Sequence, residues 1–325
     1  MKRRTRTRLA LLAGGGASYV GGSWFLARAL SDRLISPIGL TPCSARREVL
    51  IDAIREHGYY VSDDRHAGSE RAPAELATIF ASPGKASSRP TILFIHGKGG
   101  SAAEWTPDAL RALSLGYNAL LPDLRGHGAS TGTFFTFGFL EKDDLAVAVE
   151  KARAWHGVDP DRLGIHSCSA GSSVAIEVAA SRNCRAVWLE SPFADPREMA
   201  RHYLAVSVGL PDWLLRLTSR WAVARAVRRV RRELRIPATG DGLEQFDPVK
   251  SMKRVRGHIY LVYGENDRLV PPRFAHRLEA VLPPGSTVWR VDGVGHCHHD
   301  DEAEKVVKEE YERRWREFFL TNLPI

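Results

Sequence analysis

At 325 residues, with 44% apolar and 26% charged side chains, the chain can bury a sizeable core and is neither a disordered nor a fibrous sequence. A formal charge of +8 favours anionic surfaces, but the cations are clustered: Lys2, Arg3, Arg4, Arg6 and Arg8 open the chain, and eight arginines fall between Trp213 and Arg235. No zinc-finger spacing or RNA-binding aromatic motif accompanies them, so no nucleic-acid partner is expected; four scattered cysteines without a CxxC pair exclude a zinc ribbon and supply no disulfide framework.

The basic opening leads into residues 9–27 (LALLAGGGASYVGGSWFLA), which carry no charge. A bilayer core of about 30 Å takes about 20 residues, and Trp24 and Phe25 suit an interfacial position. Residues 1–30 therefore predict a single-pass membrane anchor, with the positive end cytoplasmic and the rest of the chain outside the cytoplasmic membrane. The Ala27-Arg28-Ala29 triplet leaves an alternative, a cleaved signal segment and a secreted product. Residues 31–74 form a lead-in with no clear periodicity.

From residue 75 a pattern sets in. Residues 75–81 (ELATIFA) alternate as a strand does, and a Pro83-Gly84 turn opens a hairpin-like loop to Pro90. Short apolar runs follow at 91–95, 119–121, 163–165, 186–189, 259–263 and 288–291. Amphipathic segments at 140–155, 171–180, 273–281 and 303–320 read as helices between and after them. Short strands alternating with helices predict an α/β fold, with a mostly parallel sheet covered on both faces. Residues 195–254 break the alternation with a mostly helical insertion, expected to be a cap. Within it Trp213, Leu214, Leu217, Trp221, Ala224, Val227 and Val230 recur near helical spacing, and the arginines occupy the other face. The domain reading is residues 1–30, 31–74 and 75–325, the last with its cap.

In an open α/β sheet, ligands bind beyond the carboxyl ends of the strands, so the residues that follow each strand carry the chemistry. After the run at 163–165 comes His166-Ser167-Cys168-Ser169-Ala170-Gly171-Ser172-Ser173. This resembles the nucleophile elbow, G-x-S-x-G, of the α/β-hydrolase superfamily. A turn that tight needs small residues two before and two after the nucleophile. Ser169 has Ser167 and Gly171 there, whereas Cys168 has His166 two before it. Ser169 is the expected nucleophile, with Ser167 standing where the motif has glycine.

The superfamily's order of Ser, acid, His is matched downstream. Gly264-Glu265-Asn266-Asp267-Arg268-Leu269-Val270-Pro271 looks like its G-x-x-D-x-x-V-P segment, and Gly293-Val294-Gly295-His296 follows the last strand. The resemblance implies Asp267 as the orienting acid and His296 as the base. Read as residues alone, Asp267 also suits a helix N-cap, and His296 also suits a surface histidine run or a metal cluster with Cys297, Asp300 and Asp301. His96-Gly97-Lys98-Gly99-Gly100 resembles the superfamily's H-G loop, implying the Lys98 and Ala170 N–H groups as the oxyanion hole, with His96, Gly97, Ser167 and Gly171 supporting the loop and the elbow. Asp123-Leu124-Arg125-Gly126-His127-Gly128 and residues 137–145 extend the similarity to a bacterial branch of membrane-anchored, lysophospholipase-like or acylaminoacyl-peptidase-like hydrolases. In the former segment Asp123 and His127 are expected to be structural.

The resemblance implies a serine hydrolase acting on a small acyl or lipid-like ester, with no cofactor and no metal. An amidase, peptidase or thioesterase of the same fold, or a binding protein that has kept it, are the alternatives. Oligomeric state is not legible in the residues.

Overall fold

Burial divides the strands according to their composition. β3 (Thr91–Ile95), β4 (Asn118–Pro122), β5 (Leu163–Cys168) and β6 (Ala186–Glu190) are buried along their whole length, as strands covered on both faces must be. The computed structural model describes residues 2–38, 46–84, 89–209, 211–235, 247–297 and 301–325. With β1 (Tyr60–Ala67), β2 (Glu75–Ser82), β7 (His258–Gly264) and β8 (Thr287–Val291), these strands make one sheet ordered β1-β2-β4-β3-β5-β6-β7-β8. β2 runs antiparallel to β1 and β4, and every pair from β4 to β8 is parallel. The mostly parallel α/β sheet is as expected.

Two local expectations change. β2 does not form a hairpin with β3, because β4 lies between them; residues 85–88 of the connecting loop are outside the described residues. β1 had no sequence signal, since its order YVSDDRHA is largely polar and the strand sits at the sheet edge with most residues half-buried or exposed.

The larger of two compact units holds the sheet and comprises Pro37–Pro196 and Asp241–Ile325. Its helices are α2 (Arg47–Glu56), α3 (Thr106–Ser114), α4 (Glu141–His156) and α5 (Ser169–Ser181), then, beyond the other unit's residues, Pro248–Met252, Arg273–Glu279 and Asp301–Asn322. Three acids stand in the first turn of α4, and Gly157 ends it in the left-handed region at φ 69°. α5 is buried from Ala170 through Ala179, as a helix of small and apolar residues can be. Trp188 stacks on Tyr260 with ring centroids 4.1 Å apart, and Trp105, Trp315 and Phe319 are fully enclosed nearby.

Beside β4 a charge is buried. Arg125, 3% exposed, donates from Nε to Asp144 Oδ2 at 2.6 Å and from Nη2 to Asp144 Oδ1 at 2.8 Å, and that second oxygen also accepts the Ser69 N–H at 2.8 Å. The bidentate geometry ties the loop after β4 to α4.

The smaller unit combines Met1–Ser36 with Arg197–Gly240. α1 (Lys2–Ile35) packs along α7 (Asp212–Glu233), and α6 (Pro196–Val208) precedes α7. Small residues let the two long helices approach: Ser23, Ala27 and Ser31 are buried on α1, and Ser219, Ala222 and Ala226 on α7. The Arg229 guanidinium meets Asp32 at 2.7 Å across the pair. Among the described residues no helix is long and apolar enough to cross a membrane, so the spanning helix expected over residues 9–27 finds no support. The face expected to be apolar on α7 is also displaced. Leu215, Ala222, Ala226 and Val230 are buried there, whereas Trp213 is 67% exposed and Ala224 is exposed. Small side chains, not the largest ones, mark the packed stripe. Helix Pro248–Met252, inside the expected cap, packs instead on α5.

Candidate active site

Ser169 is the first residue of α5, directly after β5, with φ +53°. A non-glycine residue in the left-handed region is strained, and it turns this side chain out of a stretch in which every neighbour from Leu163 to Ala179 is buried. Gly171 is needed because a Cβ there would sit 2.5 Å from the carbonyl oxygens of Ile95 and His96. A Cβ on Gly97 would lie 3.2 Å from the Ser169 Cβ, which places the loop after β3 against the serine.

The crowded hydroxyls have separate tasks. Ser167 Oγ donates to the Trp188 carbonyl at 3.1 Å, Ser172 Oγ to that of Glu190 at 2.9 Å, and Ser173 Oγ to that of Phe193 at 3.1 Å. Three buried serines thus fasten the elbow to β6 and the segment after it. Ser167 fits where the motif has glycine because its hydroxyl finds that carbonyl. Ser169 alone of the four is not buried.

His296 Nδ1 donates to Asp267 Oδ2 at 2.7 Å, and Asp267 Oδ1 accepts the N–H groups of Leu269 at 2.9 Å and Val270 at 2.7 Å. Asp267 therefore closes a turn of its own loop and holds the imidazole; it does not cap a helix, because the next one begins at Arg273 after Pro272. Gly264 lets the two loops meet, since a Cβ would lie 2.3 Å from the Val294 carbonyl. No hydrogen bond joins Ser169 to His296 among the described residues. Their loops come together one residue away, where the buried Cys297 thiol neighbours that of Cys168; this neighbour, and then burial, pushes the Cys297 thiol well above its usual range. Ser191, at φ +44°, adds its Oγ as acceptor for the Cys297 N–H at 3.3 Å. Neither contact had a sequence signal, because each joins the loop after β8 to a distant segment, the end of β5 in one case and the residue after β6 in the other.

The Ala170 N–H is in the first turn of α5, where backbone donors have no partner within the helix. Lys98 sits half-buried on the loop after β3, with Nζ 5.7 Å from the Phe137 ring centre. His96 is structural: fully buried, it accepts the Leu124 N–H on Nε2 at 3.0 Å and donates from Nδ1 to the Gly97 carbonyl at 2.8 Å. Asp123 is structural as expected, accepting the N–H groups of Ala102 and Ala129 at 2.7 and 2.9 Å. His166 is held inside by Glu190 at 2.8 Å and by the Trp315 indole, with none of its surface exposed. A cavity of about 150 Å³ lies behind the His296 loop, lined by Glu190, Ser191, Val294, Cys297 and Tyr311; Ser169, Lys98 and Ala170 do not reach it. Of the alternative metal cluster of His296 with Cys297, Asp300 and Asp301, the two aspartates lie outside the described side chains. Among described residues no group of three or more metal-ligating side chains assembles.

His127 packs under this loop, 5.1 Å from the His96 ring and 4% exposed, with Nδ1 donating to the Arg125 carbonyl. Burial, then the neighbouring His96, lowers it from its ordinary value near 6.5 to about 3. The unfolded chain takes up a proton as pH falls below about 6.5, while the native state refuses it until about 3. This group's contribution is therefore complete above pH 6.5 and lost on the way down, at about 1.4 kcal/mol per pH unit. Urea titrations at pH 7 and pH 5 are expected to show that loss, and a His127→Gln variant to flatten the difference.

The model of the alpha/beta hydrolase family matches residues 92–309. An uncharacterized protein of Bacillus subtilis, YqkD, is 27% identical over 172 residues, 51% of each chain. The rat lysophosphatidylserine lipase ABHD12 is 28% identical over 211 residues, 61% of this chain and 47% of that protein. The chain thus spans about half the length of these two relatives. Among solved structures, an esterase of Pyrococcus furiosus, PF2001, superposes with a TM-score of 0.63 at 20% identity, covering 89% of this chain and 98% of that one. The strand order, the strand–turn–helix around Ser169 and the matched two-thirds of the sequence agree: the chain belongs to the alpha/beta hydrolase family.

Proposed function

We propose that the protein is a serine hydrolase that cleaves a carboxylic ester of an acyl or lipid-like substrate through Ser169, His296 and Asp267. The observation that carries this reading is the 2.7 Å His296–Asp267 hydrogen bond, in a chain whose Ser169 is held at φ +53° on the strand–helix turn. Asp267 fixes the Nδ1–H tautomer, which leaves the Nε2 lone pair of His296 for the serine proton. Ser169 Oγ attacks the ester carbonyl, and the tetrahedral oxyanion is met by the N–H groups of Ala170 and Lys98. His296 returns the proton to the departing alcohol, and water then releases the acyl group by the same route. The names of two relatives, a lysophosphatidylserine lipase and an esterase, support an ester and a lipid-like acyl group.

The test is turnover of p-nitrophenyl esters from acetyl to palmitoyl by the full chain and by Ser169→Ala. Wild-type turnover with a loss of about 10³-fold or more in the variant is expected, together with fluorophosphonate labelling of Ser169 alone. Equal inertness of both proteins and no labelling would return the binding-protein reading to first place. Turnover of amides or thioesters in place of oxygen esters would keep the three residues and change the substrate.

A further inference from the structure

The charge of the molecule is divided between its two units. Residues 1–36 and 197–240 hold 17 lysines and arginines against four acids, a net +13; with +8 for the whole chain, the unit that carries the sheet is left at −5. On α7 the exposed arginines stand opposite the packed stripe: Arg216, Arg220, Arg228 and Arg232 are exposed at multiples of four residues, while Leu215, Ala222, Ala226 and Val230 are buried. One helix face packs on α1 and the other is a row of guanidinium groups.

Large apolar side chains share this exposure. Phe25 is 72%, Trp24 57%, Val20 47% and Tyr19 40% exposed, consecutive or one turn apart on α1, and Trp213 at the start of α7 is 67% exposed. A solvated helix pair needs neither the aromatics nor so large a cationic excess. The combination of guanidinium groups with tryptophan, phenylalanine and valine is the chemistry of an interfacial helix, in which cations meet anionic head groups and apolar rings enter the acyl boundary. Nucleic acid matches the charge but not valine and phenylalanine, which have no base to read or stack on in the absence of a groove-reading motif.

We infer that the unit formed by α1, α6 and α7 is a docking surface for an anionic lipid bilayer, holding the protein on the membrane face through α1 and α7 together. This inference concerns where the protein sits and is independent of what Ser169 cleaves. The α1–α7 packing gives it a form distinct from a spanning anchor, because α1 spends its small-residue stripe on α7.

The experiment is sedimentation of the full chain with vesicles of phosphatidylcholine alone or with roughly one-third phosphatidylglycerol, from about 0.1 to about 1 M NaCl. Binding is expected to be at least about tenfold stronger on the anionic vesicles and to fall steeply with salt, with Trp24 and Trp213 quenched by brominated acyl chains. R228E combined with R232E, and separately W24S combined with F25S, should each reduce vesicle binding about tenfold or more while p-nitrophenyl acetate turnover and melting temperature stay at wild-type values. Those residues lie outside the candidate active site, so the soluble-ester assay also reports folding. Equal binding to neutral and anionic vesicles, insertion that only detergent reverses, or displacement from vesicles by duplex DNA or tRNA would each overturn the inference. The last two would point to a spanning helix and to a nucleic-acid surface respectively.

Discussion

Replacing Asp267 by asparagine is expected to lower kcat by about 10³–10⁴-fold while the protein stays folded. The carboxylate has two separate jobs. Oδ1 accepts two backbone N–H groups, and an asparagine carbonyl can keep both; Oδ2 accepts from His296 Nδ1, and an amide placed there presents N–H instead. The imidazole then favours the tautomer protonated on Nε2 and has no lone pair for the Ser169 proton. Steady-state kinetics with a p-nitrophenyl ester, fluorophosphonate labelling rates and a thermal melt decide the matter together. A large drop in the first two with a melt within a few degrees of wild type identifies Asp267 as the orienting acid. Undiminished kcat would remove Asp267 from that role, and Glu190 would not replace it, since its carboxylate is bound to His166, Trp188 and Tyr311.

Asp144→Ala is expected to produce the largest loss of stability, about 3–5 kcal/mol. The variant leaves the Arg125 guanidinium, 3% exposed, without its bidentate partner, and leaves the Ser69 N–H without the oxygen that accepts it. The cost comes from the stranded charge more than from the attraction lost, so the two can be separated. An Arg125→Met, Asp144→Leu double variant removes both charges and should recover much of the deficit. Urea midpoints at neutral pH measure both; a double variant no better than the single one would show that the pair itself is what stabilises the loop after β4.

The strands legible in the sequence are those whose burial is uniform. TILFI and AVWLE read as strands because both faces of β3 and β6 are covered, whereas YVSDDRHA at the sheet edge carried no such pattern. Ser169 was legible because a tight turn restricts its own neighbours to small residues, a purely local requirement, whereas Asp267 and His296 were read from their place in the superfamily's motif order. The Cys168–Cys297 contact and the Ser191 hydroxyl had no such signal, since they join the loop after β8 to segments more than a hundred residues earlier in the chain. The N-terminal helix shows the converse. Its uncharged stretch reads as an anchor when taken alone, and only the presence of α7 reveals that Ser23, Ala27 and Ser31 are a packing stripe.

The smaller unit is assembled from segments that the ribosome makes far apart in time. α1 is complete at Ile35, and its partner α7 only at Glu233. At about 5–20 residues per second, close to 200 residues separate the two, so α1 waits roughly 10–40 s with Leu30, Leu34 and Ile35 uncovered. The sheet strands β1 to β6 are synthesised during that interval. The nascent chain thus presents a basic, apolar helix well before the helix that covers it exists, and whatever engages that helix first, bilayer or chaperone, competes with α7 for the same stripe.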